Sequence, residues 1–97
     1  MTRQDIIKEI QKYVNGTNYS SWYVGITNDA DRRLFGTSEH NVNKYFGRWM
    51  QLPADSKQDA QDIEKYFLSQ GMDGDTGGGN DDTTIVYCYM KTHGTNP

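Results

Sequence analysis

Two short segments constrain this chain more than anything else in it. "SWYVGIT" (residues 21–27) and "TTIVYCYM" (residues 83–90) are rich in aromatic and β-branched residues and read as strands. More than fifty residues separate them. An isolated strand leaves its backbone N–H and C=O groups without partners, so the two clearest strands are expected to lie side by side, antiparallel. In the second, Tyr87 and Tyr89 fall on one face, and Val86, Cys88 and Met90 on the other.

Helical signals surround these strands. Thr2 caps a helix with Asp5 three residues on, and Ile6, Ile7, Ile10, Tyr13 and Val14 recur at helical spacing up to Asn15-Gly16. "NDADRRLF" reads as a turn feeding a short helix, capped by Asn28 or Asp29. In "SEHNVNKYFGRWMQL" the positions Val42, Tyr45, Phe46 and Trp49 fit a helix face, weakened by Gly47 and closed by Pro53. Ser56 caps the best-defined helix, whose stripe is Ala60, Ile63, Phe67 and Leu68 and whose stop is Gly71. "GMDGDTGGGNDD" reads as a loop unable to pack a core, and "THGTNP" as a frayed tail. The expected architecture is one α+β domain over 1–97, with a small antiparallel sheet of two to three strands flanked by helices.

Composition narrows the function classes. Only 34% of the 97 residues are apolar, so the seven tyrosines and two tryptophans must supply much of the buried area. No apolar run is long enough for a membrane span, and "MTRQDIIKEIQKYV" lacks the apolar stretch of a signal peptide. Cys88 is the single cysteine, which excludes an internal disulfide and a multi-cysteine zinc site and fits a reducing cytoplasm. On a strand face shared with Val86 and Met90, it is not expected to act as a nucleophile. The glycine loop lacks the Gly-Lys-Ser/Thr ending of a Walker loop and precedes a strand. A net charge of −3 gives no general attraction to phosphate backbones. The charge is unevenly spread, however. Residues 32–57 set Arg32, Arg33, Lys44, Arg48 and Lys57 against Glu39 and Asp55, whereas residues 58–82 set Lys65 against seven carboxylates. A basic segment beside an acidic one suits a phosphate site next to a metal site, but charge alone favours an ordinary solvated surface.

"YVGITNDADRRLFGTSEH" resembles the second half of the signature of the GIY-YIG nuclease superfamily. Tyr23-Val24-Gly25 matches its Tyr-Ile-Gly element, and Arg33 lies ten residues after Tyr23, where the superfamily has an arginine. The superfamily often has a His or Tyr a helical turn later. Thr37 stands at that spacing and His40 lies three residues beyond it, a loose match. "AQDIEKYF" supplies Ala60 and Glu64 for the helix that carries the metal-binding glutamate, and Asn80 is a candidate for the asparagine that follows it. The Gly-Ile-Tyr strand ahead of Tyr23 is missing. Either the C-terminal "IVYCYM" takes its place in space, with Tyr87 or Tyr89 as the first tyrosine, or the domain kept the scaffold and lost the chemistry.

The resemblance implies a divalent-metal-dependent DNA endonuclease, from a phage, mobile-element, defence or repair setting. Glu64 would hold Mg²⁺ or Mn²⁺, and Arg33 would bind phosphate. Tyr23 would take the proton of water if nearby cations lower its pKa, and His40 and Tyr87 are further candidate catalytic residues. Arg32, Lys44 and Arg48 would join Arg33 in gripping nucleic acid. Singly, each residue has an ordinary reading: Tyr23 packs, Arg33 is a surface charge, Glu64 pairs with Lys57 or Lys65, and His40 sits in a loop. A catalytically inactive domain that binds nucleic acid or protein is the alternative.

Overall fold

The computed structural model describes residues 1–75 and 80–97. Helix α1 (Arg3–Val14) begins where the Thr2 hydroxyl accepts the Asp5 N–H, and it buries Ile6, Ile10 and Val14. A 3₁₀ turn (Tyr19–Ser21) leads into strand β1 (Trp22–Thr27). Helix α2 (Ala30–Phe35) is capped by the Asp29 carboxylate, which accepts the Arg32 N–H. Strand β2 is Trp49–Pro53, and helix α3 is Lys57–Gln70. Ser56 caps α3, and Gly71 ends it in the left-handed region at φ 116°. Strands β3 (Asp73–Gly74) and β4 (Ile85–Met90) complete a four-stranded mixed sheet of order β2-β4-β1-β3.

The expected strand pair forms. β1 and β4 are antiparallel neighbours from Trp22↔Met90 to Thr27↔Ile85, so Tyr23 faces Tyr89 and Gly25 faces Tyr87. Period-two alternation then divides the sheet into two unlike faces. Trp22, Val24, Val86 and Cys88 join Ile6, Ile10, Ile63 and Phe67 in an apolar core under α1 and α3. Tyr23, Tyr87 and Tyr89 form the other cluster with Ala30, Leu34 and Val42.

Four expectations are corrected. The sheet has four strands and is mixed, because β3 runs parallel to β1 at Tyr23↔Asp73 and Val24↔Gly74. The segment expected as a helix carrying Val42, Tyr45, Phe46 and Trp49 is a series of turns entering β2. Asn43 accepts the Tyr45 and Phe46 N–H groups with its side chain at 2.9 and 3.0 Å, a local competitor of helix. The stretch after Gly71 does contribute to the core, since Met72 is buried there, although residues 76–79 of the glycine run lie outside the described residues. The tail is pinned, not frayed: Asn96 donates its backbone N–H to the His40 carbonyl at 2.9 Å and its side-chain amide to the Glu39 carbonyl at 3.0 Å.

Candidate active site

β3 pairs with β1 only at Tyr23 and Val24, so among the described residues the edge of β1 from Gly25 to Thr27 borders a cleft of about 350 Å³. Four elements aim side chains into it. Tyr23 comes from β1, Arg32 and Arg33 come from the last turn of α2, and Glu64 comes from α3; Tyr87 reaches it from β4 across Gly25. Gly25 is required here because a Cβ at that position would overlap the Tyr87 ring. The tyrosine at 87 and the glycine of Tyr23-Val24-Gly25 are thus a matched pair across the two strands.

His40 and Tyr87 are joined by a buried hydrogen bond. The Nδ1 atom of His40 lies 2.7 Å from the Asn96 carbonyl oxygen, which can only accept, so Nδ1 carries the ring proton. Nε2 is then the acceptor, and it receives the Tyr87 hydroxyl at 2.8 Å. Burial lowers the pKa of His40 and the Arg33 charge lowers it further, against the opposing pull of the Asn96 carbonyl and Glu39; the ring is neutral in neutral solution. Tyr89 places its hydroxyl 2.9 Å from Nδ1, and Tyr23 packs its ring 4.5 Å from the imidazole. His40 therefore sits in the turn after α2, as its place in the sequence suggested, with a buried and fully engaged side chain.

Charge in the cleft is divided. Burial pushes the Tyr87 hydroxyl up to about 12, opposed by Arg33, the cation beside it. Tyr23 is also raised by burial, with Arg33 again opposing. A tyrosine pKa lowered by nearby cations was the condition for Tyr23 as a base, and burial outweighs the cation. Arg33 gives Nη1 to Glu39 at 2.7 Å, and Arg32 gives Nη1 to the other oxygen of the same carboxylate at 3.2 Å. Glu64 is only 3% exposed on the inner edge of α3. Burial, and then the Asp75 charge, push its carboxyl up to about 7, with Lys65 opposing.

The remaining candidates lie elsewhere. Lys44 stands over the Phe35 ring, 5.6 Å from its centroid. Arg48 lies over Tyr13 and Trp22, beside the other core, so it does not join Arg33. Asn80 and Thr37 are exposed, and neither lines the cleft. Cys88 is fully buried, and burial pushes its thiol up to about 12, which leaves no thiolate for chemistry. Asp75 and Thr83 line the cleft without having been singled out in the sequence. For Asp75 the available signal was the acidic run that follows α3; Thr83 carries none.

The donor set fits a hard divalent cation. Glu64 and Asp75 both line the cleft, and a cation held there would offset the burial and the Asp75 charge that raise Glu64. Among the described residues no three metal-ligating side chains cluster, so most of the coordination shell would be water and substrate oxygen. No helix among them is long and apolar enough to cross a membrane. No family model matches the chain, and no curated protein or solved structure is significantly similar to it.

Proposed function

We propose that this domain is a divalent-metal-dependent endonuclease that hydrolyses DNA phosphodiester bonds, a permuted relative of the GIY-YIG nucleases in which β4 stands in for the missing Gly-Ile-Tyr strand. The observation that carries the reading is convergence: Tyr23, Arg33, Glu64 and Tyr87, from four separate elements, line one cleft. Residues up to 64 positions apart in the sequence present polar ends to the same small space.

The hydrogen bonds support a division of roles. Tyr87 accepts a proton from the attacking water as its own passes to the Nε2 lone pair of neutral His40. That relay avoids a free tyrosinate, which a hydroxyl near 12 would not supply at neutral pH. Tyr23 borders the same space and holds the imidazole in place through ring contact. Arg33 offers planar donors to the scissile phosphate, which displaces Glu39 from part of the guanidinium. Glu64, with Asp75, would hold Mg²⁺ or Mn²⁺. When bound, the ion supplies charge neutralisation at the phosphate and the leaving oxygen.

A silent binding domain on the same scaffold is the second reading. The net charge of −3 and the pairing of both arginines to Glu39 favour it. Supercoiled plasmid incubated with the protein and Mg²⁺ or Mn²⁺, with and without chelator, separates the two. Chelator-sensitive nicking that is lost in Tyr87→Phe supports the endonuclease. DNA retention in a gel without nicking in either metal supports the silent domain.

A further inference from the structure

Tyr45 and Phe46 are 87% and 88% exposed, whereas the other large apolar side chains among the described residues are buried or half-buried, Met1 alone excepted. A chain with so little apolar material has placed two adjacent aromatics in water. They do not sit on a loose loop. The Asn43 side chain accepts both of their N–H groups, the Asn43 carbonyl accepts the Gly47 N–H at 2.8 Å, and the Trp49 indole donates to the Lys44 carbonyl at 3.0 Å. Gly47 closes the turn because a Cβ there would meet the Asn43 carbonyl at 2.5 Å and Val42 at 2.9 Å. Buried Val42 anchors the segment from below. The aromatic pair is pre-organised, so little further ordering entropy opposes its use in binding.

The surroundings indicate what it binds. Residues 40–54 carry no Asp or Glu, in a chain that is acidic elsewhere, and exposed Lys44 adjoins Tyr45, while Arg48 lies over Tyr13 and Trp22. Aromatic rings beside cations suit the faces of nucleobases and the phosphates that join them. The turn's position is informative too. It enters β2 at Trp49, which lies opposite Tyr89 on the edge of the sheet away from β3. A polymer bound there would be gripped apart from a bond held in the cleft.

We propose that the Tyr45-Phe46 turn is a stacking platform for unpaired bases, which directs this domain to DNA with single-stranded or distorted segments. The proposal rests on the nucleic-acid reading of the cleft, but it needs only binding, not hydrolysis. The test uses the full chain in chelator, a fluorescein-labelled single-stranded oligonucleotide, a matched duplex, and a strand carrying 2-aminopurine. Wild type binds the single strand more tightly than the duplex and changes 2-aminopurine emission. Tyr45→Ala/Phe46→Ala loses about tenfold or more in single-strand affinity and loses the emission change. Its salt dependence is unchanged, since phosphate contacts remain. Phe46→Tyr keeps both affinity and emission change. Hydrolysis of bis(p-nitrophenyl) phosphate with Mn²⁺, which reaches only the cleft, is the same in wild type and double variant. Equal single-strand affinity in wild type and double variant overturns the platform. So does a wild-type dimer that the double variant abolishes while DNA affinity stays put, which would make the turn a contact between copies. If wild type binds no nucleic acid, platform and nuclease fall together; if it binds through the turn and never cleaves, only the nuclease falls.

Discussion

The same two strands build two unlike faces. On one, Trp22, Val24, Val86 and Cys88 pack against α1 and α3, and the Trp22 indole N–H is satisfied by the Thr17 hydroxyl at 2.8 Å. On the other, the alternate residues Tyr23, Tyr87 and Tyr89 are just as buried, yet their hydroxyls meet His40, Arg33 and the pinned tail. Among the described residues no buried side-chain N or O is left without a partner, so the second face is a satisfied network and not a packing defect. The first face is assigned to stability. The second holds its stability in hydrogen bonds whose geometry matters for chemistry.

Mutations should separate the faces. Phe67→Ala on the apolar face removes a fully buried ring and should cost about 3–5 kcal/mol, seen as a drop in Tm. Tyr87→Phe should cost about 1–3 kcal/mol, because it leaves His40 Nε2 buried without a donor, and should lower nicking by about 100-fold or more. Gly25→Ala should cost about 1–3 kcal/mol through overlap with the Tyr87 ring, and most of that penalty should vanish in a Tyr87→Ala background. A penalty that persists there would mean the glycine serves the backbone and not the ring. Arg33→Lys should change stability by about 1 kcal/mol at most, since its pair with Glu39 is partly solvated, while nicking falls markedly as the planar fork is lost. Parallel melts and nicking assays read all four.

Much of this was legible in the sequence. The β1–β4 pair followed from the two richest strand patterns, and the α3 stripe and its Ser56 and Gly71 ends followed from spacing and capping chemistry. The ten-residue step from Tyr23 to Arg33 and the placement of Glu64 one turn after Ala60 anticipated three sides of the cleft. What was not legible depends on contacts too short or too distant to leave a pattern. β3 is two residues long, and it forms because Gly74 lets the chain press against Val24 and Leu68. The burial and bonding of His40 were not legible because its partners lie 47 and 56 residues away. Tyr45 and Phe46 mimicked a helix face, and their exposure is what betrays the error.

The central claim is that the polar face ends in a metal-assisted site at Glu64, and pH tests its electrostatics. A carboxyl whose folded pKa lies above its unfolded value favours folding in its protonated form. This contribution therefore carries no penalty below pH 4.5, and the penalty grows as pH rises from 4.5 through about 7, above which it stands in full. Without metal, Glu64→Gln should match wild-type stability in acid and exceed it above pH 7, and Mg²⁺ should narrow that gap by stabilising only the wild type.

The most direct measurement is Mn²⁺-dependent plasmid nicking at pH 8 by wild type and Glu64→Gln, run beside a gel shift of each on the same DNA. The account predicts that the variant loses nicking entirely while retaining or tightening DNA binding, because a repulsive charge has gone and a folded scaffold remains. Nicking by the variant at the wild-type rate would contradict it and remove Glu64 from the chemistry.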